Sequence, residues 1–306
     1  MDTERTTPRI VEWPTLVVAV AIHGGWLAAT WWHGALPWAV RIAVGGWLIA
    51  WHGSLQHEVI HGHPTPWRRV NTAIGSVPLA LWLPFERYRR THLIHHATER
   101  VTEPGADPES RYLAAPRAGA LGLEHRVGVL QASLAGRLLL GPFVEVWRFT
   151  QSESLAARSG DTGQIGAWLR HLLGAALVVA WLKLACGMTL IDYLLTFIYP
   201  GAALTLIRSF AEHRAHEAPG HRVAVVERAP LMGLLFLNNN LHAVHHDHPA
   251  APWFSLPGLY RRNRAEVLQA NGSLVYAGYG EVFARFLFTP HDDLIHPLTT
   301  QRQYRS

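Results

Sequence analysis

Four long apolar runs divide this chain, and polar blocks rich in histidine separate them. The runs are Thr15–Trp32, Trp38–Gln56, Ala167–Cys186 and Met188–Ile207. Each approaches the roughly 20 residues that a helix needs to span a bilayer. Each also carries a polar flaw: His23, Arg41, Lys183 and Asp192. The last three fall near predicted ends, where charged groups reach the interface. Pro200 predicts a kink in the fourth run.

Short connectors, His33–Pro37 and a turn about Gly187, join the runs in pairs, and neither contains Lys or Arg. The other loops are arginine-rich, with Arg68, Arg69, Arg87, Arg89 and Arg90. The positive-inside rule places the connectors outside and everything else in the cytosol. The expected fold is therefore all-α and integral to the membrane. Four transmembrane helices, near 15–32, 38–56, 167–186 and 188–207, form two hairpins. A cytosolic helical cap, residues 57–166 and 208–306, completes a single domain over 1–306.

Shorter stretches read differently. Ala73–Phe85, with Pro78 and Pro84, is expected to be interfacial or re-entrant. Val127–Trp147 mixes Leu and Val with Gln131, Arg137 and Glu145 and is expected as one helix lying on the surface. Pro230–Leu241 has a similar character, and Thr98–Pro116 reads as a loop. The N-terminal segment Met1–Arg9 is polar and mixed in charge, unlike a cleavable signal.

Composition supports the membrane reading. Half the chain is apolar, 16% is charged, and 13 Trp are present; Trp favours membrane interfaces. Cys186 is the only cysteine, which excludes an internal disulfide and a multi-cysteine metal site. The net charge is +5, but the arginines flank apolar runs, so no nucleic-acid partner is expected.

The chemistry lies in three blocks: His57-Glu-Val-Ile-His61, His92-Leu-Ile-His95-His96 and His242-Ala-Val-His245-His246. Residues four apart on a helix differ by about 40° around the axis and share a face. Adjacent histidines diverge by about 100°, so one block can serve two metals. Imidazole suits zinc, copper, iron and nickel, so the blocks alone do not choose the metal. Trp38 to His57 covers about 29 Å of helix, near one hydrocarbon thickness. Asp192 to His213 covers about 32 Å, which brings His213 to the depth of box one.

Other readings compete. His57-Glu58-x-x-His61 matches a zinc-protease pattern with Glu58 as general base, but a catalytic zinc needs three protein ligands and leaves the other boxes idle. A histidine-lined metal transporter places its ligands near the bilayer midplane, whereas these boxes fall at span ends. The isolated histidines, His23, His33, His52, His125, His171, His216, His221, His291 and His296, are expected as ordinary hydrogen-bonding groups.

Candidates to orient the ligand imidazoles are Glu58, Glu103, Asp107, Glu212 and Asp247. His63 is either such a group or part of the turn before Pro64. Asn238, Asn239 and Asn240 could hydrogen-bond ligand rings or cap the helix of box three, and at least one of them is expected to cap it. Trp51, Trp82, Phe85, Phe236 and Trp253 are expected to line a substrate groove or to form an interfacial belt. Arg87, Arg89 and Arg90 suit topology anchoring, a lipid headgroup or an acidic redox protein.

The three boxes together resemble the membrane fatty acid desaturase family, with its related hydroxylases, carotenoid ketolases and alkane oxygenases. The likeness covers roughly residues 15 to 255. It extends to His61-Gly-His63-Pro64, to Arg208-Ser-Phe-Ala-Glu-His213-Arg and to Asn238-Asn-Asn-Leu-His242. The resemblance implies two iron ions (Fe2+/Fe3+) and dioxygen as co-substrate. It implies the ligand set His57, His61, His92, His95, His96, His213, His242, His245 and His246. The expected activity is introduction of a double bond into a fatty acyl chain, with hydroxylation or ketolation of an alkane, lipid or carotenoid as the alternative. The expected partners are a lipid or other apolar chain and a separate electron donor such as a ferredoxin or reductase. A multi-pass bacterial cytoplasmic membrane protein with its boxes on the cytosolic side is the expected setting. One position departs from the pattern. Where acyl-coenzyme A desaturases carry an Asn that contacts a metal-bound water, this chain has Ser209.

Overall fold

The computed structural model describes residues 10–115, 122–158 and 164–299. Met1–Arg9 and the last residue of the expected Thr98–Pro116 loop lie outside them. The described residues are mostly helical, with one two-stranded parallel pair among them. Among the described residues, three helices are long and apolar enough to cross a membrane: α1 (Trp13–Trp31), α7 (Ile165–Ala185) and α8 (Leu190–Glu212). Between them in sequence lie α2 (Trp38–Ile60), α3 (Arg68–Gly75), α4 (Phe85–Ala97), α5 (Leu123–Leu130) and α6 (Leu134–Arg158). The fourth expected span is α2. It has the length, 23 residues, but Arg41, His52, Gln56, His57 and Glu58 dilute its apolar character, and it is not among the three.

The chain divides into two compact units, Met1–Arg90 with Pro142–Thr205, and Thr91–Gly141 with Leu206–Ser306. The first unit is built on close helix crossings. A Cβ on Gly45 of α2 would lie 2.5 Å from the Thr196 carbonyl oxygen and 2.6 Å from Phe197 Cγ. Gly201 of α8 meets Ile49 in the same way. Small residues at such crossings let helix backbones approach where no hydrophobic effect drives association. Arg41 and Asp192, both near expected span ends, form an ion pair. The irregularity expected at Pro200 takes the form of a π-turn over Leu194–Ile198, just before a proline with no N–H for the Thr196 carbonyl. Along α7, Leu169, Leu172, Leu173, Leu177 and Leu184 are exposed. An unbroken apolar stripe of this kind is what a lipid-facing helix presents.

The region Val127–Trp147 forms two helices rather than one. The chain turns after Leu130, and a Cβ on Gly136 would overlap the Leu130 carbonyl oxygen, so only glycine fits there. Leu139, Phe143 and Trp147 of α6 are exposed at helical spacing, in keeping with a surface-lying apolar face.

In the second unit, β1 (Val225–Val226) pairs in parallel with β2 (Val275–Tyr276). The helices α9 (Pro230–Leu235), α10 (His242–Asp247), α11 (Leu256–Ala270) and α12 (Tyr279–Phe286) follow. A core of Val223, Val225, Leu241, Ala243, Val244, Leu256, Tyr260 and Val267 buries one side of α10 against α11 and β1. Two arginines tie loops together inside this unit. Arg222, fully buried, donates to the carbonyls of Val101 (2.8 Å), His216 (2.7 Å) and Glu217 (3.2 Å) and to Glu103 (3.2 Å). Arg111 donates to the carbonyls of Phe210 and His213 and to Asp292. The loop after box two is thereby fixed to the segment that follows α8.

Candidate metal centre

The second unit carries box two on α4, His213 immediately after α8, and box three on α10. Their Nε2 atoms converge. His242 and His213 approach to 3.0 Å, His246 and His242 to 3.1 Å, and His95 and His246 to 3.3 Å. One ligand atom from each of His95, His213, His242 and His246 lies within 4.8 Å of all the others. A second convergence in the same unit brings together His92, His96 and His245 within that limit, with His245 and His96 Nε2 3.1 Å apart. The i, i+3, i+4 spacing in boxes two and three makes this division possible. His95 and His96 diverge around α4, and so do His245 and His246 around α10. In the first unit, α2 stacks His57 and His61 one turn apart, with ring centroids 4.9 Å apart.

The far nitrogens of these rings have partners of their own. His92 Nδ1 donates to Glu109 at 3.0 Å, and His95 Nδ1 to Asp107 at 2.9 Å. His242 Nδ1 donates to the Asn239 side-chain oxygen at 2.9 Å, and His213 Nδ1 to the Arg222 carbonyl at 3.3 Å. A carboxylate or carbonyl oxygen only accepts, so each Nδ1 is the protonated nitrogen. In the neutral form of each ring, Nε2 is left as a lone pair pointing at other lone pairs. Such atoms 3.0–3.3 Å apart repel one another unless a cation lies between them. The donor set therefore fits a bound transition metal, held by imidazoles whose tautomers are set from outside.

Burial favours the ligand form of most of these rings. It holds His96 down to about 3, helped by the charges of His92 and His95. Burial also pushes His213, His242 and His246 well below the ordinary imidazole value, reinforced by neighbouring histidines. His95 goes the other way. Burial opposes its charge, but the Asp107 bond and the charges of Glu109, Asp107 and Glu212 outweigh it and raise it to about 8. A metal binding at His95 releases that proton. Glu109 is held far below the usual carboxylate range; burial opposes this, and His92, His95 and Arg208 overcome it.

The other sequence candidates occupy varied positions. Glu212 is ion-paired with Arg208 (3.2 Å) and lies 3.6 Å from His242 Nδ1. Glu58 is buried with its carboxylate 3.7 Å from His57 Nδ1, beyond hydrogen-bond reach. His63 Nδ1 is 2.6 Å from Glu12. Glu103 bridges Arg100 and Arg222 and so braces the loop. Asp247 is exposed. Asn238 donates to the Trp253 carbonyl, while its neighbour Asn239 meets His242. None of the three asparagines caps α10, whose N-cap is Leu241 with no side-chain bond. Arg87 is ion-paired with Glu153. Phe85 and Phe236 are buried.

Sequence reasoning missed Glu109 and the Arg222 carbonyl as partners of His92 and His213; Asn239, which meets His242, is one of the three asparagines it offered as partners of the ligands. Glu109 had a visible signal, an acid two residues after Asp107 in Asp107-Pro-Glu109. A backbone carbonyl leaves no trace in a sequence. Several isolated histidines do have ordinary partners: His171 the Leu81 carbonyl, His291 the Tyr276 hydroxyl and His296 the Thr102 hydroxyl.

Membrane-length apolar helices together with a polyhistidine centre at helix ends define a membrane protein of the histidine-box metal-dependent class. Comparison with family models matches residues 30–278 to the fatty acid desaturase family. That is most of the 306 residues, and the chain belongs to this family. Comparison with curated proteins returned no significant match. The histidine groups fit a di-iron oxidoreductase of that family.

Proposed function

We propose that the protein is an oxygen-dependent di-iron oxidoreductase that introduces a double bond into a membrane-borne fatty acyl chain. The observation that carries this reading is the two-fold convergence of imidazoles with carboxylates only outside the ligand shell. Carboxylate-bridged di-iron bundles have the reverse arrangement. In this reading His95, His213, His242 and His246 hold one iron, and His92, His96 and His245 hold the other together with His57 and His61 from box one. When bound, the two irons supply dioxygen activation and removal of hydrogen from an unactivated C–H bond.

This chain's own residues do the rest. Asp107, Glu109, Asn239 and the Arg222 carbonyl hold each Nδ1 proton outward and so present Nε2 to the metal. The buried rings of His57, His92, His95, His242 and His245 keep bulk water from the centre. The membrane setting delivers an apolar chain, and its position relative to the centre decides which carbon reacts. Four spans in two hairpins, with the boxes on the cytosolic side, would let a ferredoxin or reductase deliver electrons there. Desaturation consumes one dioxygen, two electrons and two protons, removes two hydrogens from the chain and yields two waters. Hydroxylation, the second reading, uses the same inputs but places one oxygen in the product. Ser209 bears on the substrate: its hydroxyl donates back to the Leu206 carbonyl of its own helix at 3.3 Å. That supports a substrate other than an acyl-coenzyme A.

Reaction with labelled dioxygen tests the choice. Label recovered only in water supports desaturation, and label in the organic product supports the hydroxylase or ketolase reading. A peptide substrate cleaved without oxygen would overturn both and restore the protease reading of box one.

A further inference from the structure

The short helix α3 does not take part in the metal centre, yet it is strapped to the end of α2 that carries box one. Gln56, next to His57 in the chain, donates through Nε2 to the Gly75 carbonyl at 2.7 Å. Asn71 is buried, and its Nδ2 donates to the carbonyls of Gly62 (2.6 Å) and Thr65 (2.8 Å). Its Oδ1 accepts from the Thr65 N–H (3.0 Å) and hydroxyl (2.7 Å). Gly75 lies against Val59 and Phe85 so closely that a Cβ would come within 2.9–3.0 Å of them. The inner face of α3 is thus fully engaged.

Its exposed first turn has a different composition. Trp67, just before the helix, is 59% exposed and Val70 is 42% exposed. Arg68 and Arg69 beside them are exposed and have no ion pair among the described residues. An exposed indole and valine flanked by two guanidiniums is the pattern of a helix lying in the headgroup layer: apolar groups enter the acyl boundary and cations meet phosphate. An acidic protein surface would match the two arginines but gives the exposed Trp67 and Val70 no apolar boundary of this depth.

We propose that α3 is an anionic-phospholipid anchor that holds box one at headgroup depth. Arg68 and Arg69 take the lipid phosphates, Trp67 and Val70 insert beside them, and Gln56 and Asn71 fix that depth to the end of α2. The proposal rests on the membrane reading of the chain, but not on its redox chemistry.

The test uses the full chain in nanodiscs of neutral phosphatidylcholine doped with spin-labelled phosphatidylglycerol or spin-labelled phosphatidylcholine. Electron paramagnetic resonance reports the fraction of each label immobilised by the protein. The wild type is expected to prefer phosphatidylglycerol. R68Q/R69Q is expected to lower that preference by about fivefold per arginine, from roughly 1 kcal/mol per basic residue at an anionic surface. R68K/R69K is expected to retain most of it. Both variants are checked for an unchanged thermal midpoint. Undiminished preference in R68Q/R69Q overturns the proposal. So does loss of the wild-type preference on adding inorganic phosphate but not chloride of equal ionic strength, which would mark a free-phosphate site. A third overturning result is intact lipid preference in R68Q/R69Q with weakened binding of an acidic protein, which would mark a protein-docking face. No arm reads catalysis, so a failure here leaves the di-iron reading standing, and absence of iron leaves this one standing.

Discussion

Glu109→Gln removes the charge that orients His92 and little else. The carboxylate accepts from His92 Nδ1 at 3.0 Å. A glutamine of nearly the same shape can turn its amide N–H toward that nitrogen. The ring then no longer has a fixed tautomer with Nε2 as the free lone pair. Loss of such an outer partner typically weakens metal binding 10- to 100-fold, roughly 1.4–2.7 kcal/mol at 1.36 kcal/mol per decade. The glutamate charge also favours the cation directly, since His92, His95 and Arg208 hold Glu109 ionised. The assay is competition for cobalt or iron(II) between purified protein and a chromophoric chelator. Glu281→Gln serves as control. It loses a pair with Arg285 whose arginine is 55% exposed, and such pairs contribute a few tenths of a kcal/mol, while its amide oxygen can still accept from the Ala277 N–H. Metal binding by Glu109→Gln as tight as by the Glu281→Gln control would show that Glu109 does not orient His92.

Three further outcomes follow from the geometry. Gly45→Ala should cost about 1–3 kcal/mol by overpacking the α2–α8 crossing, seen as a lowered thermal midpoint, while Gly34→Ala, with nothing within 4 Å of its Cβ, leaves the midpoint unchanged; equal midpoints for the two contradict the close crossing. Asp292 is lowered from 3.8 to about 2: burial opposes this, and Arg111, His291 and Tyr112 overcome it. Its stabilisation, about 2 kcal/mol, is therefore complete above pH 4 and lost as pH falls toward 2. The stability gap between wild type and Asp292→Asn should close over that window, and a gap constant down to pH 2 speaks against it. His95→Ala should abolish activity with the helical circular dichroism retained; full activity in that variant removes His95 from the centre.

The histidine boxes were legible because ligand spacing is a local property: i, i+3 and i, i+4 positions share a helix face whatever the tertiary fold. His213 was legible only by span length and resemblance, since a lone histidine has no local signature. The orienting groups were half legible. Asp107 and the Asn238–Asn240 run were named, but Glu109 was not, because which acid meets which ring depends on how the 98–112 loop folds back. Arg222 shows the limit most clearly. As an arginine in a polar stretch it reads as solvated, yet it is fully buried with its carbonyl on His213. Apolar patterning located α1, α7 and α8 within a few residues. On α2 the polar groups that serve box one occupy the same helix as the apolar run, so it has the length of a span but is not among the three.

Metal content per chain decides whether the two groups of histidines hold iron. Full-length protein purified without chelators and analysed by elemental analysis should contain close to two irons per chain, and His246→Ala should contain fewer. One zinc per chain, or no bound transition metal in a correctly folded preparation supplied with iron, would contradict the di-iron account.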